Sequence, residues 1–306
     1  MNTFDFSQVL GNLAIMFSLI LLGRKLRFSK ETSNDMARLI VNVTFPLFIF
    51  NNFTGQFSLD ILKTGYLVFI MGVITCLIGL TLSAVIGRKS KSGNALEFMF
   101  VAGVGNTGFV GIPFCLALFG QQGALYAMLF DFGHSFFNWA FAMNLLRRGV
   151  DTGGGLLQRV NNPVIAYILS ISLVLLQVDV FPPLHEGAAL VGGMTIPLAL
   201  IFIGSVSSGY SIKAMAFQRR LVFVGLVKLI LLPFLMLPLI MILPLPSPMD
   251  GVVLVQAAMP TLALAPIIFA RYKKDSFFGA SAVFITSLAG FYTVLLVYFT
   301  YYNLVL

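Results

Sequence analysis

The chain has 306 residues, of which 58% are hydrophobic and only 10% charged, with 31 phenylalanines and a net charge of +8. Soluble domains carry about 25% charged residues, and no water-exposed fold hides this much apolar surface, so the expected solvent is lipid. The positive balance does not indicate nucleic acid, because nearly all the charges fall in short connections between apolar runs, the pattern of membrane topology.

A membrane span needs about 20 apolar residues. The chain divides into ten such runs: 7–23, 34–54, 62–87, 96–119, 122–146, 163–180, 187–207, 220–243, 250–270 and 277–303. No basic residue precedes the first run, and a basic cluster (Arg24, Lys25, Arg27, Lys30) follows it, so it reads as a retained helix rather than a cleaved signal. The later odd-numbered connections hold Arg88, Lys89 and Lys91; Arg147, Arg148 and Arg159; Lys213, Arg219 and Arg220; and Arg271, Lys273 and Lys274. Among the even-numbered connections only Lys63 is basic, and Arg38 and Lys228 lie inside runs. The positive-inside rule then places the odd connections in the cytoplasm and both termini outside a plasma (inner) membrane crossed many times.

The longest connection contains Gly153-Gly154-Gly155 and reads as a flexible joint over 151–162, between a first half (1–150) and a second half (163–306). Five spans per half is an odd number, so the halves run in opposite directions, as in inverted-repeat transporters. Sequence traces agree. Thr44-Phe45-Pro46-Leu47 and Thr195-Ile196-Pro197-Leu198 stand 151 positions apart, while Pro113 and Pro266, like Glu97 and Asp250, stand 153 apart. The expected fold is therefore an all-α integral membrane protein, with ten transmembrane helices in two inverted five-helix repeats.

The fourth run carries Gly103, Gly105, Gly108, Gly111, Asn106 and Pro113 in its middle, and the ninth carries Pro260-Thr261 and Pro266 at the matching depth. Within a helix, Gly costs about 1 kcal/mol and Pro about 3 kcal/mol relative to Ala, so both helices are expected to be broken and to cross at the midplane. Pro113 is expected in the first turn of the second half-helix. Unwound backbone at that depth faces protein or a cavity. Half-helix N-termini there would suit a carboxylate; the plainer alternative is two proline kinks without a ligand. Gly103, Gly105 and Gly108 also spell G-x-G-x-x-G, but without a βαβ unit this is no dinucleotide site. Cys76 and Cys115 read as small core residues, no metal or cofactor spacing is present, and the sequons at Asn42 and Asn52 fall in or beside a helix.

The segments Asn106-Thr107-Gly108 to Pro113, Ala257-Ala258-Met259-Pro260 to Pro266 with Phe269-Ala270-Arg271-Tyr272, and Leu39 to Asn51 with Pro46 resemble helices 4, 9 and 2 of the auxin efflux carrier family. The resemblance covers the whole chain. The short middle connection resembles the bacterial branch, whose members are named as permeases of malate, malonate or other organic acids. It implies that Asn106 and the Pro113/Pro266 crossover line a substrate site. Met259 stands where an Asn would mirror Asn106, so that site would not be symmetric.

Ionisable groups inside spans are expensive and mark ion or proton paths. Asp131, His134 and Asn138 share one helix face, at i, i+3 and i+7. The first two are candidates for proton coupling or, alternatively, a pair that only fixes packing. Lys228 reads either as a counter-ion for an anion or for Asp131, or as a side chain snorkelling to the interface. Arg38 reads as an interfacial anchor, while Asn42 and Asn51 are further cavity candidates. The leading expectation is a secondary carrier of a small organic anion, a dicarboxylate or another monocarboxylate, working by alternating access. Its substrate site would comprise Asn106, Thr107, Gly108, Pro113, Pro260, Thr261, Pro266 and Lys228. Alternatives are a sodium-coupled carrier or cation/proton antiporter, which would want paired acids at the crossover, and a non-transporting membrane sensor. An enzyme would need clustered acids or a nucleophile with a base, and none is found. The expected partners are the anion, membrane lipid and, as a homodimer, a second copy of the chain.

Overall fold

The computed structural model describes residues 6–88, 95–146, 162–209, 211–216, 218–243 and 245–305. Most of the joint expected over 151–162, and the basic residues Lys89, Lys91, Arg147, Arg148 and Arg159, lie outside the described residues. Among those described, every regular element is helical. Six stretches are long and apolar enough to cross a membrane: Lys30–Gly55, Leu59–Gly87, Thr107–Phe137, Pro182–Ser208, Arg219–Ile242 and Ser276–Tyr301.

In chain order the helices are α1 (Phe6–Leu26), α2 (30–56), α3 (Leu59–Arg88), α4 (Ala95–Gly103), α5 (107–119), α6 (121–146), α7 (Asn162–Leu175), α8 (Pro182–Gly192), α9 (Thr195–Ser208), the short α10 (Ile212–Ala216), α11 (Arg219–Ile242), α12 (Met249–Ala257), α13 (Ala265–Arg271) and α14 (Ser276–Val305). Gly120, at φ 67°, separates α5 from α6. A left-handed residue is needed there for an abrupt turn, and glycine adopts it without a steric penalty.

Three helices widen to a π turn two residues before a proline. The pairs are Ile40–Thr44 before Pro46, Thr107–Gly111 before Pro113, and Leu226–Leu231 before Pro233. Proline has no N–H and crowds the carbonyl four residues back. A π turn relieves that crowding without ending the helix. Pro113 therefore lies beyond the first turn of α5, further in than its sequence suggests, because α5 starts at Thr107 in the widened turn. Pro197 is accommodated differently. The chain breaks at Gly193-Met194, and Pro197 falls in the first turn of α9, where its missing donor is not needed.

Helix α1 packs along α9, α3 along α4 and α6, the second half of α2 along α7 and α8, and α12 against α11. In lipid no hydrophobic force drives helices together, so small residues that let backbones approach do much of this packing. A Cβ on Gly23 would lie 1.9 Å from the Ile201 carbonyl oxygen, and one on Gly204 would lie 1.9 Å from that of Ile20. The Ser33 and Ser205 hydroxyls hydrogen-bond at 2.6 Å beside this crossing, and Arg24 donates to the Ser207 carbonyl at 2.5 Å.

Gly204→Val should separate α1 from α9, and overpacking of this kind typically costs about 1–3 kcal/mol. Thermal unfolding in detergent should show a marked loss of stability, whereas Gly187→Ala, with nothing within 4 Å of the added methyl, should leave it unchanged.

Candidate functional site

Between α4 and α5, and again between α12 and α13, the chain is unwound, and the two stretches pair. Gly105 and Thr261 form an isolated antiparallel bridge. The Asn106 N–H donates to the Pro260 carbonyl at 2.7 Å, and the Leu262 N–H to the Val104 carbonyl at 3.2 Å. The Thr261 N–H donates to Thr286 Oγ1 on α14 at 3.1 Å, while its hydroxyl donates to the Val101 carbonyl at 2.7 Å. Val104, Ala258 and Met259 donate back to their preceding helices, and Gly105 donates to His134 Nε2 at 3.4 Å. Every backbone N–H of 104–106 and 258–262 thus has an acceptor, Pro260 having none to place. Full pairing is what backbone buried away from water requires.

Helix α6 supplies the polar groups beside this crossing. Its face carries Asp131, His134, Ser135 and Asn138, at the spacing that puts residues one above another. The Thr107 hydroxyl donates to Asp131 Oδ1 at 2.6 Å, Tyr167 on α7 to Oδ2 at 2.5 Å, and Ser135 to Oδ1 at 3.3 Å. A carboxylate accepts on both oxygens, and three hydroxyl donors suit its charged form. Because His134 Nε2 accepts from Gly105, its proton lies on Nδ1, which faces Thr107 Oγ1 at 3.5 Å. The result is a chain from His134 Nδ1–H to the Thr107 hydroxyl to Asp131.

The glycines of the fourth run fit around these groups. A Cβ on Gly108 would lie 3.2 and 3.3 Å from the two Asp131 oxygens, so the carboxylate sits against the first turn of α5, where the helix dipole favours negative charge. A Cβ on Gly105 would lie 2.9 Å from Lys228 Nζ. Lys228, in the π turn of α11, is fully buried, and its ammonium has no hydrogen-bond partner. Asp131 and Lys228 make no ion pair with each other; the one salt bridge among the described residues is Arg38–Asp35.

A cavity of about 30 Å³ lies at this place, lined by Gly105, Asn106, Thr107, Gly108, Asp131, His134, Ser135 and Asn138, with apolar walls from α2, α7 and the 258–264 stretch. That is room for water-sized occupants, not for a dicarboxylate. Asn106 Nδ2 and Asn138 Oδ1 are buried there without partners.

The structure therefore brings together Asn106, Thr107, Gly108, Asp131, His134 and Asn138; Pro260 and Thr261 belong to the second crossing stretch, paired with Asn106 and Gly105, and Lys228 lies against Gly105. Pro113 lies further along α5, just past its π turn, and Pro266 is the second residue of α13. Asn42 and Asn51 are elsewhere. Asn42 is exposed and accepts from Asn162 at 3.3 Å; Asn51 lies along α2, its carbonyl bonded to His185 Nε2 at 3.2 Å. The sequence reading missed Tyr167, Thr286 and Gln256. Gln256 had a usable signal, an amide alone in an apolar run. It donates to the Ala127 carbonyl at 3.2 Å and fills the space a Cβ on Gly111 would need. Tyr167 had no such signal, because nothing in its run tells which helix its hydroxyl reaches.

A helical membrane protein with two broken helices paired around buried polar groups has the build of a membrane transporter, and comparison with known proteins agrees. The chain matches the membrane transport protein family over residues 7–151 and 155–299, and it belongs to that auxin-efflux-carrier-like family. It is 24% identical over 271 residues to an uncharacterized transporter of Methanocaldococcus jannaschii, covering 84% of this chain and 86% of that one. It is also 24% identical over 284 residues to an uncharacterized transporter of Methanothermobacter thermautotrophicus, covering 88% and 91%.

Tyr167→Phe removes one donor to Asp131 and leaves a buried oxygen unpaired, which costs about 1–3 kcal/mol. Thermal unfolding should show that loss, and Asp131→Asn should reduce the further effect of Tyr167→Phe in a double-mutant cycle.

Proposed function

We propose that this protein is a secondary carrier of a small organic anion, a dicarboxylate such as malate or malonate or another monocarboxylate, working by alternating access in a plasma (inner) membrane. In this reading the chain makes ten spans in two inverted repeats, 1–150 and 163–306, joined by a cytoplasmic linker, with both termini outside. Support comes from the antiparallel pairing of the two unwound stretches, and from the division of the family match at residues 152–154, inside the expected joint.

The observation that carries the proposal is Lys228, a buried ammonium without an acceptor, pressed against the crossing strand at Gly105. An isolated buried charge is costly, and a substrate carboxylate entering beside Asn106 Nδ2 would supply the missing acceptor. The cavity must widen for this, by parting α2 and α7 from the crossover. Charge balance then suggests the coupling. Lys228 and Asp131 together are neutral. Each carboxylate of a bound anion would leave one uncompensated negative charge in a low-dielectric site, two for a dicarboxylate, and one proton entering per charge, the first carried on the His134–Thr107–Asp131 chain, restores neutrality. Proton–anion symport follows. A sodium-coupled carrier or an antiporter would need a second acid at the crossing, where Lys228 stands instead.

Uptake of labelled malate and malonate into proteoliposomes, with and without an imposed pH gradient, tests this. Lys228→Met and Asn106→Ala should each lower flux about tenfold or more, the scale of one charge-assisted hydrogen bond. Asp131→Asn should keep flux down an anion gradient while losing the stimulation by pH. Absence of flux for any carboxylate would leave the sensor reading in its place.

A further inference from the structure

A second cavity, separate from the crossover, lies where the end of α3, the first turn of α4 and the start of α11 meet. It is a groove of about 430 Å³ lined by Val85, Ile86, Gly87, Phe98, Arg219, Arg220 and Phe223. We propose that this groove binds an anionic phospholipid, its phosphate held by Arg219 and Arg220 and an acyl chain laid along the apolar walls.

Three observations carry this. The first is depth. Arg219 opens α11 and Gly87 closes the apolar stretch of α3, both helices long enough to cross the bilayer, so the groove lies at their shared end. Apolar spans end at the level of the lipid headgroups. The second is charge. Two arginines line the groove and, among the described residues, no acid does. Neither arginine is in the one salt bridge among the described residues. Glu97, beside Phe98, instead accepts from the Asp275 N–H at 3.2 Å. The guanidinium of Arg220 lies over the Phe278 ring, 4.8 Å from its centroid, and its Nη1 is buried without an acceptor. A phosphate is the acceptor that fits a planar guanidinium best. The third is the wall. Val85 and Phe223 are each more than half exposed and Val222 beside them is 61% exposed, so the groove opens sideways along apolar surface rather than toward water. A soluble phosphate would gain nothing from such a wall, whereas an acyl chain would be covered by it.

The placement ties the lipid to the crossover. Helix α4 runs directly into Gly105, and Lys228 stands nine residues after Arg219 on α11. One lipid would bridge the bases of the two helices that meet at the Gly105–Lys228 contact. Which leaflet supplies it rests on the orientation proposed above; the binding itself does not.

The test is lipid retention by the purified full chain in neutral detergent, read by native mass spectrometry during titration with phosphatidylglycerol or phosphatidylcholine. The native chain should retain phosphatidylglycerol in preference to phosphatidylcholine, and millimolar inorganic phosphate should not displace it. Arg219→Gln with Arg220→Gln should weaken that retention about tenfold or more. Val85→Trp should weaken it as well, by filling the groove while both arginines remain, and it keeps the test alive if the arginine variant does not fold. Equal retention of the two lipids by the native chain, retention unchanged in Val85→Trp, or displacement by inorganic phosphate would overturn the proposal.

Discussion

The constraint on which the rest of the structure depends is that backbone unwound in the interior of a membrane protein must still place its hydrogen bonds. A continuous helix meets this by itself, and a broken one cannot. Here two breaks solve the problem for each other. Asn106 donates to Pro260 and Leu262 donates to Val104, while Thr286 and His134 take the two N–H groups that the pairing leaves over. Neither break would be tolerable alone. The two halves of the chain are therefore bound to each other at their centres by backbone pairing, and side chains near the crossing are chosen for what that pairing leaves open.

That logic explains the glycine pattern of residues 103–111. At 105 a side chain would press on the Lys228 ammonium, at 108 on the Asp131 carboxylate, and at 111 on Gln256. The glycines are spaced to admit a cation, an anion and an amide, each from a different helix, against one short stretch of chain. Flexibility is not needed to account for them, since only Gly120 of these neighbouring glycines takes a conformation that other residues avoid.

Much of the helical layout was legible in the sequence because lipid imposes a strict length and polarity on each span. The boundary at 119–122 fell where Gly120 turns the chain, and the breaks near Gly105 and Pro260 fell where glycine and proline made a helix costly. Other features were hidden. Pro113 was expected in the first turn of a half-helix, yet Pro113, like Pro46 and Pro233, follows a π turn, a response set by the backbone just ahead of it. Run 163–180 yields a helix only to Leu175, since Gln177 turns left-handed (φ 53°) and the N–H groups of Val178 and Gln177 donate back to the Leu173 and Val174 carbonyls, capping the last turn. In the site, Asp131, His134 and Asn138 were readable as one face because they share a helix. Tyr167 and Thr286 were not, because their roles depend on how separate helices rotate against each other. Asn42 lines a separate groove with Pro46, Phe50 and Asn162, because polarity within a run does not say which cavity a side chain faces.

The expectation that half-helix N-termini attract a carboxylate also takes a more specific form in the structure. The first turn of α5 already has one, that of Asp131, lying against Gly108. A bound anion would therefore not meet a bare positive dipole. It would meet a turn whose favourable field is partly satisfied, with an uncommitted ammonium beside Gly105. Two negative groups near one helix end compete for the same N–H dipoles, and the competition is relieved when one of them takes up a proton. The Thr107 hydroxyl, which joins the helix start to both His134 and Asp131, is the group that would register such a change. A charge on Asp131 and the geometry of the crossing are thus linked through a single side chain, so that a proton reaching Asp131 would act directly on the strand where the two unwound stretches pair.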